Sequence, residues 1–269
     1  MLQKINELVT VVKLGGSSIT FKERTFSVDE NALSNISSAL SNFNGRLFVV
    51  HGGGSWGHPV AAAYGLSSFT YSNDIRGVSQ TRLAMLELTK KVQRSLIDHG
   101  ISVFFFPPQH LESMTNDLEG LYELKAVPLT YGDVLYERGK GYRIIGGDEI
   151  ISRLSASIKI KRVLFIMRSK GILDVNGEPI SVISLSGKQG ISIEQVPIMK
   201  GNTVYTFKQA RNELKSISPD ATGGITYKLI VAERLVSIGV EVMFLSSDSQ
   251  DNMVKALNGM KFQGTTVMI

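Results

Sequence analysis

The sequence predicts an α/β fold built on a mostly parallel sheet. Short apolar runs of strand length alternate with longer stretches that carry apolar residues at helical spacing. Glycine-rich turns follow predicted strands, as expected where a strand turns into a crossover helix. The chain has 269 residues, 43% hydrophobic and 20% charged. That suffices for one large α/β domain or two small ones with a core that folds unaided.

The elements follow in order. Leu8 to Leu14 (LVTVVKL) reads as a first strand, ending in Gly15-Gly16-Ser17-Ser18. Residues 28–43 place Leu33, Ile36, Leu40 and Phe43 at helical spacing. Arg46 to Val50 is a second strand, ending in His51-Gly52-Gly53-Gly54. Residues 76–98 read as a helix with Val78, Leu83, Leu86 and Leu96 on one side. Ile101 to Phe106 is a third strand, stopped by Pro107-Pro108. Ala126 to Leu129 predicts another strand, and residues 148–158 a helix after Gly146-Gly147. Arg162 to Met167 (RVLFIM) is a buried strand. Residues 174–216 give short strands, a turn at Asn176-Gly177 and a helix over 207–216. Gly223-Gly224 opens a helix over 225–238, Val240 to Leu245 is a strand, and GTTVMI closes the chain as one more.

Composition removes several function classes. With no Cys, a disulfide scaffold, thiolate-bound zinc, an iron–sulfur cluster and a Cys nucleophile are excluded. No apolar run reaches the roughly 18 residues of a membrane span. The opening MLQKINELVTVVKLGG lacks the apolar core and cleavage site of a secretory signal. A cytoplasmic protein without membrane contact is expected. The net charge of +5, from 29 basic and 24 acidic residues, is dispersed. No nucleic-acid-binding motif or long Lys/Arg run accompanies it, so no nucleic acid partner is expected.

The chemistry concentrates in glycine-rich turns: Lys13 to Ser17 (KLGGS), His51 to His58 (HGGGSWGH), Gly146 to Glu149 (GGDE) and Asp220 to Lys228 (DATGGITYK). Glycine lets the backbone approach an anion and turn N–H groups toward it. A helix starting after the turn adds its positive end. Several such turns in one chain, two with Lys, point to phosphate. The Walker A spacing G-x-x-x-x-G-K-[ST] is absent, which excludes an ordinary P-loop enzyme.

The order K-x-G-G-S, HGGGS-x-GH, GD-[DE] and D-x-TGG-x-x-x-K resembles the amino acid kinase superfamily, and within it the isopentenyl phosphate kinases. The similarity runs from Lys13 to about Gly264. Its most specific part is residues 51–66, whose second histidine is typical of that group and of fosfomycin kinases. The resemblance implies a three-layer αβα sandwich, usually a homodimer. It implies an acceptor-binding lobe over about 1–158 and a nucleotide-binding lobe over 159–269. It implies ATP with Mg²⁺ and isopentenyl phosphate as acceptor; the sequence shows no dedicated carboxylate cage for that metal.

On the resemblance, Lys13 contacts the β- and γ-phosphates and Lys228 the transferring phosphate, with Lys22 a third cation. A lysine ending a Leu/Val strand is costly unless it reaches a polar site. His58 binds the acceptor phosphate, and Asp148 holds the two lysines in place. Gly53, Gly54 and Gly147 serve the acceptor phosphate. Gly15, Gly16, Ser17, Thr222, Gly223 and Gly224 serve ATP, with Gly54 shared between the two. His51 shapes its turn. An apolar pocket is expected from Val60, Ala61, Ala62, Ala63 and Tyr64 on one wall, and from Val78, Leu83 and Leu86 on the other.

One stretch departs from the family pattern. The acidic run T/S-D-V-D-G-[IV] is replaced by Met167-Arg168-Ser169-Lys170-Gly171-Ile172. Arg168 or Lys170 then contacts a nucleotide phosphate or stacks on adenine, or the loop faces solvent. The competing functions are a kinase for another small phosphate or phosphonate such as fosfomycin, and a nucleotide-binding regulator without catalysis.

Overall fold

The computed structural model describes residues 8–68, 70–216 and 224–269. The first half runs β1 (Val9–Leu14), α1 (Gly16–Ile19), α2 (Glu30–Ser41), β2 (Leu47–His51), α3 (Gly54–Ala63), α4 (Ile75–Asp98), β3 (Val103–Phe105), α5 (Leu111–Glu123), β4 (Val127–Tyr131), β5 (Asp133–Glu137), β6 (Gly141–Ile145) and α6 (Gly147–Ser157). The second runs β7 (Ile160–Met167), β8 (Val182–Ser184), β9 (Ile191–Ser192), β10 (Pro197–Lys200), β11 (Thr203–Thr206), α7 (Phe207–Ser216), α8 (Ile225–Ser237), β12 (Glu241–Ser246), α9 (Gln250–Leu257) and β13 (Thr265–Met268).

Nine strands form one sheet in the order β3-β4-β2-β1-β7-β12-β13-β8-β9. Every pairing in it is parallel except β12 with β13. The interior strand β1 is buried along its whole length, as a parallel strand covered on both faces must be. Alternation divides its side chains. Val9 and Val11 join the core under α6 and α8, with Ile150, Leu154, Leu229 and Ala232. Val12 and Leu14 join the opposite core under α2, α4 and α9, with Leu33, Leu88 and Met253. The result is the three-layer sandwich. The same parity places Lys13 on the face of Val9 and Val11, toward α6 and α8.

Several expected boundaries hold within a residue or two; other elements were not legible. The third strand shortens to three residues, α5 follows it, and α3 begins inside the HGGGSWGH turn itself. The antiparallel hairpin β5–β6 projects beside α3 and α4. It closes a small apolar cluster of Ala61, Leu66, Val78, Val134 and Ile144. The expected pocket walls need correction. Leu83 and Leu86 are 52% and 42% exposed, on the outer side of α4. The inward face of α4 runs through Val78, Thr81, Met85, Leu88 and Val92. Two polar residues on that face, Thr81 and Thr89, masked its period in the sequence. Ala62 and Ala63 are also exposed, leaving Ala61 inward on that turn of α3.

The first two glycine turns pack back to back. A Cβ on Gly16 would lie 2.1 Å from the Gly54 backbone nitrogen. Gly54 itself has φ +48°, with the Thr20 hydroxyl where its Cβ would be. Replacing Gly16→Ala must therefore push two backbone segments apart, at a cost of ~3 kcal/mol. Urea unfolding measures it. Gly120→Ala, exposed on α5 with nothing within 4 Å of the added methyl, is the contrast and should stabilise by about 0.5–1 kcal/mol.

Candidate active site

Three helices begin at one cavity of about 890 Å³, which is lined by Gly53, Gly54, Gly146, Gly147, Gly224 and Ile225 among others. α3, α6 and α8 have Gly53, Gly146 and Gly224 as N-caps, so none is capped by its own N-cap side chain, although in α3 the Thr20 hydroxyl accepts the Ser55 N–H. A Ser or Asp at these positions would satisfy the first N–H groups internally. Glycine leaves them available, and three positive helix ends pointed at one space attract a polyanion.

Two cations and one carboxylate stand among these termini. Lys13 Nζ is 2.6 Å from Asp148 Oδ1, and Lys228 Nζ donates to Asp148 Oδ2 at 3.1 Å. Lys13 and Asp148 are only 5% and 3% exposed. Burial, together with the nearby Lys228 charge, outweighs Asp148 and pushes Lys13 down to about 8. Burial acts to raise Asp148, but both ammonium groups overcome it and hold the carboxyl below its ordinary range. One carboxylate thus keeps two lysines side by side, and an arriving anion finds a net positive charge.

His58 lies one turn into α3 and lines the same cavity. Desolvation within the cavity, then the charges of Lys13 and Lys228, lower its pKa although the side chain is exposed there, so the neutral ring is favoured in the free protein. Behind it, Ala61, Met85, Ile144 and Ile145 make an apolar wall, broken by Thr81 and Asp133.

His51 is structural. It is fully buried, its Nδ1 donates to the Gly52 carbonyl at 3.1 Å, its Nε2 meets the Thr89 hydroxyl at 2.9 Å, and its ring stacks on Tyr131. Burial pushes it from 6.5 to about 4. The unfolded chain takes up this proton below pH 6.5 and the folded one does not. The contribution to stability is therefore full above pH 6.5 and is lost as pH falls toward 4, by about 3 kcal/mol. Denaturation midpoints across that window should show the fall, and His51→Asn should flatten it.

Of the residues singled out in sequence, Lys13, Gly15, Gly16, Ser17 and Lys22 reach the cavity from the β1 side. Gly53, Gly54, His58, Gly147 and Asp148 reach it from α3 and α6, and Arg168, Gly224 and Lys228 from the other half. Thr222 and Gly223 lie outside the described residues. Arg168 stands at the rim, but its guanidinium faces protein: Nε donates to the Ser17 carbonyl at 2.9 Å, and one terminal nitrogen reaches the Thr20 carbonyl and Asp29.

Sequence reasoning missed Glu149 and Arg143. Arg143 makes a two-pronged pair with Glu149 at 2.7 and 2.8 Å and also bonds Glu137, fastening the β5–β6 hairpin to the start of α6. Glu149 was visible beside Asp148; its partner, six residues upstream on an unforeseen hairpin, was not.

The profile of the Amino acid kinase family matches residues 9–245. The chain belongs to the amino acid kinase family. Among relatives, the isopentenyl phosphate kinase of Haloferax volcanii is 33% identical, over 86% of this chain and 88% of its own. The isopentenyl phosphate kinase of Methanocaldococcus jannaschii is 26% identical, over 97% and 98%. A crystal structure of an isopentenyl phosphate kinase substrate complex shares the fold, with a TM-score of 0.71, 22% identity and coverage of 97% and 99%. The family resemblance in the sequence and the three-layer fold are thus both borne out.

Proposed function

We infer that this kinase transfers the γ-phosphoryl group of ATP to isopentenyl phosphate, forming isopentenyl diphosphate and ADP. The observation that carries the reading is the Lys13–Asp148–Lys228 array, set among three helix N-termini with glycine N-caps, with His58 and an apolar wall in one cavity. Relatives covering nearly the whole chain are isopentenyl phosphate kinases.

An oxygen of the acceptor phosphate attacks the γ-phosphorus; the new O–P bond forms as the bond to the β-phosphate oxygen breaks, and ADP leaves with that electron pair. The acceptor is already an anion and needs no general base. The demand is to hold two polyanions in line and neutralise charge on the moving group. Lys13 and Lys228 supply charge beside it, and Asp148 orients both. His58 and the glycines of α3 and α6 hold the acceptor phosphate. Gly15, Gly16, Ser17, Gly224 and Lys22 face the nucleotide. Strands β1–β4 then carry the acceptor half, about 1–158, and β7 onward the nucleotide half, 159–269.

Mg²⁺ belongs to this reading as part of the Mg·ATP substrate. Asp148, Glu149 and Asp133 in the cavity are each paired with a cation, and the described residues hold no cluster of three or more metal-ligating side chains. A homodimer and a cytoplasmic location are part of the same reading, supported by the family resemblance. No helix among the described residues is long and apolar enough to cross a membrane.

The test is ADP release from Mg·ATP with isopentenyl phosphate, dimethylallyl phosphate and fosfomycin in parallel. Turnover of the isoprenoid phosphates is expected. Turnover of fosfomycin alone would move the acceptor to a phosphonate, and no turnover with retained ATP binding would leave a nucleotide-binding protein.

A further inference from the structure

The segment from Gly15 to Asp29 lies between the two halves of the cavity. It carries Gly15, Gly16, Ser17, Thr20 and Lys22 of the cavity lining. Residues 20–28 form a narrow loop closed by a bridge between Thr20 and Val28 and by the Phe21 N–H on the Ser27 carbonyl.

On one side this loop is fastened to α3. Pro59 sits inside that helix and has no N–H to give the Ser55 carbonyl, four residues earlier. The Phe26 N–H takes that carbonyl instead, at 3.1 Å. Phe26 also packs edge-on against Trp56 at 5.3 Å, and the Thr20 hydroxyl accepts the Ser55 N–H at 3.0 Å. On the other side the loop is fastened to the end of β7 by Arg168. Its guanidinium lies over the Phe21 ring, 5.6 Å from the centroid. It donates to the Ser17 and Thr20 carbonyls and pairs with Asp29 at 3.1 Å. Asp29 is already fixed, because its other oxygen caps α2 through the Ala32 N–H. Arginine suits this place because its planar fork reaches several acceptors at fixed angles; lysine would reach one at a time.

We propose that Arg168 is a positioning residue that clamps the 15–29 segment across the cavity, holding Lys22 and the β1 turn in register with the acceptor helix α3. This rests on the kinase reading for its kinetic consequences and on geometry alone for the clamp. The basic residue that replaces the family's acidic loop position then acts through the β1 turn, not on the nucleotide.

The experiment compares wild type with Arg168→Ala, Arg168→Lys, Asp29→Asn and Lys22→Ala. Asn keeps an oxygen for the α2 cap but removes the charge that Arg168 meets. Amide hydrogen exchange on the unliganded proteins reads the clamp without reference to activity. Residues 17–28 should exchange about tenfold faster in Arg168→Ala than in wild type, while α6 and α8 are unchanged. Unchanged exchange over 17–28 overturns the proposal, and so does faster exchange throughout the molecule. In kinetics, kcat should fall about tenfold in Arg168→Ala, with partial recovery in Arg168→Lys. The effect of Lys22→Ala should shrink in the Arg168→Ala background, and Asp29→Asn should share the defect. A rise in the KM for ATP alone, additive with Lys22→Ala and absent in Asp29→Asn, would assign Arg168 to the nucleotide and overturn the clamp. If wild type does not turn over isopentenyl phosphate, the kinase reading fails while the exchange result still decides the clamp.

Discussion

Replacing Lys13→Met should lower kcat by on the order of 10²–10³, the usual loss when one preorganised charge is removed from a developing anion. The effect should be mainly on kcat, because the ammonium follows charge on the moving phosphoryl group. Stability should also fall, since Asp148 is buried and loses one of its two cations. The double variant Lys13→Met/Asp148→Asn separates the two effects: it should recover much of the lost unfolding temperature and none of the activity. A single variant retaining more than a tenth of wild-type kcat would remove Lys13 from the mechanism. The pH profile gives a second check. Burial pushes Lys13 down to about 8, so kcat/KM should decline as pH rises through about 8, well below the 10.5 of an ordinary lysine. Stability moves the other way. Between those values the unfolded lysine still holds its proton and the folded one has released it, so this residue's contribution rises with pH.

The second large effect concerns the acceptor. His58→Ala should lower kcat/KM for isopentenyl phosphate by about 10²-fold, the loss of one charge-assisted hydrogen bond to phosphate. The physical signature is a proton. In the free protein, desolvation in the cavity and the Lys13 and Lys228 charges favour the neutral ring of His58. A phosphate placed between the imidazole and the lysines screens that repulsion and favours the imidazolium. Binding of isopentenyl phosphate near pH 7 should therefore take up close to one proton. Calorimetry in buffers of different ionisation enthalpy measures the uptake, and His58→Ala should abolish it. Equal enthalpies in all buffers with wild type would show that the ring binds as a neutral donor.

The strand and helix alternation was legible because parallel strands buried on both faces read as unbroken apolar runs, as in LVTVVKL and RVLFIM. The candidate residues were legible because glycine is needed wherever backbone meets phosphate, and the spacing of four such turns resembles one family. Helix α3 was hidden by its own composition, since two glycines and Pro59 argue against a helix until the turn beside it is seen to donate to the freed carbonyl. The hairpin β5–β6 was hidden because its stability comes from packing on α3 and α4 and from Arg143, not from local pattern.

What the sequence by itself determined was the list of parts: the strand-ending lysine, the glycine turns, the paired histidines and the GGDE and TGGITYK segments. Parity along β1 even settles which face Lys13 occupies. What only the tertiary structure decided was which parts meet. Asp148 bridges Lys13 on β1 and Lys228 on α8, the latter 80 residues away in the chain. Met85 and Ile144 line the cavity while Leu83 and Leu86 face outward. Arg168 turns its donors to Ser17, Thr20 and Asp29. A side chain's type is local information, whereas its partner is set by how the sheet and its covering helices close around it.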